Sequence, residues 1–213
     1  MQNSQAPFDG EALSALRRFA RAKPAGEQCE LCGCGLSEEH PHLFERDRRK
    51  IMCACEACSI LFCGQEKARF LRVPRRVKRL EKFRFTDEQW DAMMLPIGLA
   101  FFVRGKEGAT QVLYPSPAGA MESLIALPEW NRLFADERAL LSVEIEVEAL
   151  VVNRIGKDAA YFILPIDMCY RLVGLIRMRW RGLSGGGDVW KAIAEFFEEV
   201  DRRVGKVKEV SHA

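Results

Sequence analysis

The chain has 213 residues, 48 % of them apolar, with 32 Lys and Arg against 30 Asp and Glu. This length and composition allow one ordinary hydrophobic core and a small additional module. No apolar run reaches the roughly 20 residues that a membrane-spanning helix requires. We therefore expect a soluble, cytoplasmic protein with no membrane span, in a compartment where thiols stay reduced.

The N-terminal region predicts a short helix followed by a linker. Its apolar positions recur at spacings of three and four between residues 9 and 22, which indicates one face of a helix. These positions are Leu13, Leu16, Phe19 and Ala20. The sequence Lys23-Pro24-Ala25-Gly26 ends this pattern. We assign residues 1–26 to the helix and linker.

A cysteine-rich stretch follows, and seven of the eight cysteines lie between residues 29 and 63. Cys29 and Cys32 form one pair with two intervening residues, and Cys55 and Cys58 form another. This spacing lets a tight turn direct both sulfurs at one ion, and a soft divalent metal held by four thiolates is the natural occupant. Four thiolates fill the coordination shell of zinc, which is typical of a structural site. Disulfides fit poorly, because pairs this close cannot brace a fold.

The residues around these pairs predict a small metal-stapled module. Gly33 permits the positive φ of a knuckle after the first pair. Two short strands are predicted on either side of a charged turn at residues 45–48. A helix is predicted to begin near Ala57 and to lead toward Leu71, with Cys58 in its first turn, where the helix dipole favours a thiolate. A knuckle, a hairpin and a helix in this order indicate a zinc-ribbon or treble-clef-like module.

Other potential ligands lie within the same stretch, so the ligand set stays open. Either Cys53 or Cys55 could be the partner of Cys58. His40 and His42 are one residue apart on a predicted strand and would point the same way, so one of them could complete a site or support it. A second ion held by Cys34, Cys53, Cys63 and a histidine is a further possibility.

Iron is the alternative to zinc, since two such cysteine pairs also resemble the iron site of rubredoxin. The stretch also resembles a zinc-braced HNH nuclease, a family that needs a central asparagine and a further histidine. Here no Asn lies between Asn3 and Asn131, and no His lies between His42 and His212. The catalytic set is therefore incomplete, and a nuclease is disfavoured.

The segment from Lys67 to Arg84 is the most basic part of the chain, with nine Lys and Arg against one Glu. Clustered cations interleaved with Phe side chains could bind nucleic acid. The candidate contacts are Arg72, Arg75, Arg76 and Arg79. The alternative is that these cations form the solvated face of a linking segment whose apolar side packs inward. We assign residues 27–86 to the cysteine-rich metal-binding module, including a basic helix.

Residues 87–204 predict an α+β domain. Thr86 is predicted to cap a helix, and strands are predicted at 97–103, 111–114, 148–154 and 160–164. Residues 115–122 read as a loop, and a short helix is predicted at 128–134. A helix after Pro165, capped by Asp167, and a last helix from about Asp188 follow. Antiparallel hairpins with separate helices favour this α+β class, and residues 205–213 are predicted to be a flexible tail.

Further motifs lie at Pro96–Phe102, at Tyr114–Ala120 and around Trp180, Gly185 and Trp190. Together with the cysteine-rich stretch, they resemble an uncharacterised bacterial family encoded beside nickel-iron uptake hydrogenase genes, and this resemblance covers nearly the whole chain from Cys29 to Val200. The resemblance implies a role near hydrogenase biogenesis or electron transfer. It implies no catalytic residues.

We interpret the chain as a non-enzymatic metal-binding accessory protein that binds a protein partner, such as a hydrogenase subunit or maturation factor. One alternative is a rubredoxin-like redox or metal-delivery protein that uses the four paired cysteines. Another is a zinc module that binds nucleic acid through residues 67–84.

Overall fold

The computed structural model describes residues 26–64, 68–106, 109–123, 140–156, 158–182 and 184–210. The helices predicted at 9–22 and 128–134 lie outside the described residues. The fold is mixed α+β with antiparallel sheets, which confirms the predicted class. No described helix has both the length and the apolar character needed to cross a membrane.

The described elements form two antiparallel sheets and four helices. The strands are β1 (His42–Glu45), β2 (Lys50–Cys53), β3 (Phe70–Arg72), β4 (Lys78–Arg79), β5 (Leu99–Arg104), β6 (Thr110–Ser116), β7 (Gly119–Glu122), β8 (Glu148–Asn153) and β9 (Ala160–Pro165). The helices are α1 (Glu56–Leu61), α2 (Asp87–Asp91), α3 (Ile166–Arg179) and α4 (Gly187–Val210).

The small sheet contains three strands in the order β2-β1-β3. Strands β1 and β2 form the predicted hairpin, and α1 begins within one residue of the predicted position. The helix is much shorter than predicted, however, because Phe70–Arg72 pairs with β1 as strand β3. Phe44 of β1 faces Leu71 in this pairing. The prediction of a basic helix in the 67–84 segment is therefore wrong, since its described regular elements are β3 and β4.

The large sheet contains six strands in the order β4-β9-β8-β5-β6-β7. Successive side chains of a strand point to opposite faces, and both faces of the central strands are covered. Phe101 and Val151 pack with α3 and α4 on one face. Phe102 and Val152 pack on the other face with Phe83 and its neighbours. This two-sided burial explains why β5 and β8 are apolar at consecutive positions.

Three local predictions are corrected by the structure. Residues 115–122 are not a loop, because β6 continues to Ser116 and turns into β7. Asp167 does not cap α3; the N-cap position is Pro165, which makes no side-chain cap hydrogen bond. The last helix was followed only to Val200 in sequence, but α4 extends to Val210; the predicted flexibility of residues 205–213 stays a prediction. The capping of α2 by Thr86 is confirmed, since Thr86 and Gln89 form a capping box.

The two sheets share one hydrophobic core. Phe44 of β1 and Val73, just after β3, pack in the same cluster as the apolar side chains of α3 and α4. Polar contacts reinforce this contact between the sheets: Arg46 Nε donates to Glu146 Oε2 at 2.8 Å, and both side chains are mostly buried. The cysteine-rich stretch is therefore fixed against the large sheet.

Candidate metal centre

The first cysteine pair lies on a tight knuckle. The amide of Gly33 donates to the carbonyl of Cys29 at 2.8 Å, and the amide of Cys29 donates to the carbonyl of Cys34 at 2.8 Å. Gly33 has a φ of +76°, a conformation that glycine adopts without the strain other residues incur. The knuckle predicted from the glycine is therefore present.

The second pair lies at the start of α1. Cys55 is the N-cap residue of this helix, and its sulfur accepts a hydrogen bond from the Cys58 amide at 3.4 Å. Cys58 follows in the first turn and is buried. The helix start therefore fixes both side chains of the pair, with backbone amides close to the sulfurs.

The structure brings Cys29, Cys32, Cys55 and Cys58 together, and we call this set the four-cysteine site. Their sulfurs all lie within 4.8 Å of one another. Four sulfurs bound at roughly 2.3 Å to a tetrahedral zinc ion would lie about 3.8 Å apart, and Cys32 Sγ and Cys55 Sγ are 3.8 Å apart. The site therefore has four sulfur donors close enough to share one metal ion, and the distance between Cys32 Sγ and Cys55 Sγ matches tetrahedral coordination. The alternative of Cys53 in place of Cys55 does not match this arrangement.

The protonation of these thiols is strongly uneven. Burial would raise the pKa of Cys29, but amide hydrogen bonds from Cys55, Cys32 and Leu31 outweigh burial, and the pKa falls to about 6. The amide of Cys58 lowers the pKa of Cys55. Burial and the neighbouring thiols raise the pKa of Cys58. The amides thus favour thiolates, while the proximity of the sulfurs opposes full ionisation unless a cation is bound.

Glu30 connects the knuckle to the hairpin. Its carboxylate accepts a hydrogen bond from the Cys53 amide at 3.0 Å and contacts Lys50 Nζ at 2.5 Å. The Glu30 amide also donates to the carbonyl of Cys53 at 2.9 Å. This role of Glu30 was not predicted from sequence, because an acidic residue between two cysteines gives no distinctive signal of it.

The alternate ligands form a separate group. His40, His42 and Cys53 place one ligand atom each within 4.8 Å of one another. We call this group the histidine site. The possible second site of Cys34, Cys53, Cys63 and a histidine is not the group found among the described residues, in which Cys53 lies with two histidines. Cys34 instead lies against the four-cysteine site, where hydrogen bonds with the thiols of Cys32 and Cys55 raise its pKa to about 12.

The candidate nucleic-acid-binding arginines are mostly paired with acids. Arg72 Nη2 donates to Glu56 Oε2 at 2.8 Å, and Arg79 Nη1 donates to Asp201 Oδ1 at 2.8 Å. Arg76 Nε donates to Glu148 Oε1 at 2.6 Å. Arg75 is exposed. These pairs reduce the positive charge available for phosphate groups, so the geometry gives little support to nucleic-acid binding.

The fold and these sulfurs define a mixed α+β protein with a four-cysteine cluster able to hold a metal ion. The chain belongs to a family of unknown function, DUF5947, whose model matches residues 28–204. Comparison with curated proteins gives no match, and comparison with solved structures gives none either. The match covers both the cysteine-rich stretch and the large sheet, so the family includes the two together.

Proposed function

We propose that the chain is a non-enzymatic accessory protein in which the four-cysteine site holds a structural zinc ion. The observation that carries this proposal is the convergence of four cysteine sulfurs within 4.8 Å of one another. Four thiolates leave no open coordination position for a substrate, which is the mark of structural rather than catalytic zinc. The ion would fix the knuckle to the start of α1.

The role of this metal would be to present a protein-binding surface. The end of α1 carries three consecutive exposed apolar side chains, which we call the α1 patch. Ile60, Leu61 and Phe62 are 67 %, 73 % and 48 % exposed. Exposed apolar groups that lie together are typical of protein-interaction sites. Since α1 has only six residues, it is too short to be stable alone, and the metal at its first turn would hold it in place.

We further propose that the partner is a subunit or maturation factor of nickel-iron hydrogenase. This finer proposal is supported by the resemblance of the cysteine-rich stretch and the later motifs to the hydrogenase-linked family. The alternative of a rubredoxin-like redox protein uses the same four sulfurs, and the identity of the metal separates the two.

The identity of the metal is tested on protein purified anaerobically from its native host. We expect elemental analysis to find zinc, and the visible absorption to stay flat after oxidation, because the filled d shell of zinc gives no redox change. Cys32→Ala, which removes an exposed ligand, is expected to lose the metal of this site. Iron in the wild-type protein, with visible absorption that appears on oxidation, would support the redox alternative instead.

The α1 patch is tested by a charge substitution. Leu61→Asp is expected to reduce capture of hydrogenase components at least tenfold, since a carboxylate in an apolar interface loses its solvation. Capture is measured by pull-down from the native host with tagged protein. Met178→Asp is the matched control, because Met178 is also 73 % exposed but lies on α3. Equal capture by both variants, with metal content unchanged, contradicts a role for the patch.

A further inference from the structure

The histidine site is assembled by the β1–β2 hairpin and the residues just before it. His42 and Cys53 are direct partners across the two strands. His40 precedes His42 by two residues, and their rings meet edge to face at a centroid distance of 5.0 Å. None of these residues belongs to the four-cysteine site. The group therefore requires its own explanation.

The hydrogen bonds of the two imidazoles orient them as metal ligands. His40 Nδ1 lies 2.9 Å from the carbonyl oxygen of Ser37, and His42 Nδ1 lies 2.7 Å from Asp167 Oδ2. The carbonyl oxygen and the carboxylate accept, so in the neutral form of each imidazole Nδ1 carries the proton and Nε2 carries a lone pair. Metal-binding histidines are held in this way, with the second ring nitrogen donating to a carbonyl or carboxylate.

His40 Nε2 gives an independent indication of a missing partner. The His40 side chain is only 6 % exposed, and its buried Nε2 has no hydrogen-bond partner among the described residues. A buried polar atom without a partner has an energetic cost, because the hydrogen bonds that it made with water are not replaced. Glu27 Oε2 is the nearby charged group, but at 3.6 Å it is too far for a hydrogen bond. A metal ion bound to Nε2 would remove this cost.

We propose that His40 Nε2, His42 Nε2 and Cys53 Sγ form a second metal site, for zinc or a similar divalent transition metal. Two imidazoles and a thiolate select such an ion over magnesium or calcium, which prefer oxygen ligands. Three protein ligands leave a fourth position for solvent or for the Glu27 carboxylate. The second site thus differs from the closed four-cysteine site in having room to exchange a ligand. It does not depend on the proposed function, because it uses different side chains.

Asp167 is the positioning residue of the second site. It lies in the first turn of α3 and reaches His42 across 125 positions of sequence. The Asp167 and His42 side chains are 24 % and 32 % exposed, so their hydrogen bond is partly shielded from water. A metal ion at His42 would therefore link the small sheet to the helix that packs on the large sheet.

The test counts the metal ions that the full chain binds. Metal-free protein is titrated with Zn²⁺, and in parallel with Co²⁺, whose absorption reports the ligands. We expect two ions per chain and two phases in the cobalt titration. His42→Gln and Cys53→Ala should each bind one ion, with the cobalt absorption of the four-cysteine site retained. Cys63→Ala is the control and should bind two, because Cys63 is a free thiol of similar burial outside both groups.

Asp167→Asn separates ligation from general structural damage. This substitution keeps the shape of the side chain but weakens the acceptor for His42. The metal affinity of the second site should therefore fall about 10–100-fold, while the affinity of the four-cysteine site is unchanged. A single ion per chain in the wild-type protein, or two ions in both His42→Gln and Cys53→Ala, overturns the second site. If the wild-type protein binds cobalt at the second site but shows no four-thiolate absorption, the proposed zinc ion at the four-cysteine site is overturned instead.

Discussion

Cys58→Ala is expected to release the metal ion of the four-cysteine site and to disorder the knuckle and α1. Cys58 is buried in the first turn of α1, and its amide donates to Cys55 Sγ. Structural zinc contributes about 10–16 kcal/mol to small modules in total, so loss of a ligand should lower the free energy of unfolding by more than about 3 kcal/mol. Elemental analysis and urea denaturation measure the two effects.

Cys63→Ala is the matched control for this substitution. Cys63 lies near the same small cluster but is not among the grouped ligands. Its replacement should change the free energy of unfolding by less than about 1 kcal/mol and leave the metal in place. A strong chelator should reproduce the Cys58→Ala effect in the wild-type protein. If Cys58→Ala retains full metal content and stability, the four sulfurs do not act as one ligand set.

Arg76→Ala is expected to lower the free energy of unfolding by about 3 kcal/mol, because it leaves a buried carboxylate without its counter-charge. The Glu148 side chain is fully buried, while Arg76 is 46 % exposed. Arg76 donates to both carboxylate oxygens, at 2.6 and 2.5 Å, and the Glu144 amide donates to Oε2 at 2.9 Å. Because solvent reaches the arginine, the loss should fall at the lower end of the range of about 3–5 kcal/mol for buried pairs.

Lys78→Ala tests whether the loss is specific to the pair with Glu148. Lys78 is an exposed cation two residues further along the chain, and its removal should cost less than about 0.5 kcal/mol. Glu148→Gln in the Arg76→Ala background should recover part of the stability, since it removes the uncompensated charge. Urea denaturation of the wild-type protein, Arg76→Ala, Glu148→Gln and the double variant measures the coupling between the two side chains. Equal stability of Arg76→Ala and Lys78→Ala contradicts the assigned role of Arg76.

The cysteine arrangement could be predicted from sequence because ligand spacing is a local property. A gap of two residues directs both sulfurs of a pair to one side, and Gly33, directly after Cys32, marks the knuckle of the first pair. The spacing did not decide whether Cys53 or Cys55 is the partner of Cys58. The tertiary structure decides this question. The strand register pairs Cys53 with His42, and Cys55 is the N-cap residue of α1.

The sequence predictions are wrong where a partner that is distant in sequence overrides a local pattern. The apolar positions after α1 suit a helix by spacing, but Phe70 and Leu71 pair with β1 and form a strand. Asp167 has the sequence position of a helix cap, yet its carboxylate is hydrogen-bonded to His42. Arg76 belongs to a basic run in the sequence, while its partner Glu148 is 72 positions away. Such pairings depend on the tertiary fold and leave no local signal.

The shared core limits how this protein can be dissected. A fragment that begins at residue 87 would lack Phe44 and Val73, which would leave a cavity in the hydrophobic cluster that α3 and α4 share with the small sheet. It would also lack β4, so the backbone groups at one edge of β9 would be unpaired. Unpaired strand edges promote self-association. Shortened versions intended for crystallisation or partner mapping should therefore retain the cysteine-rich stretch.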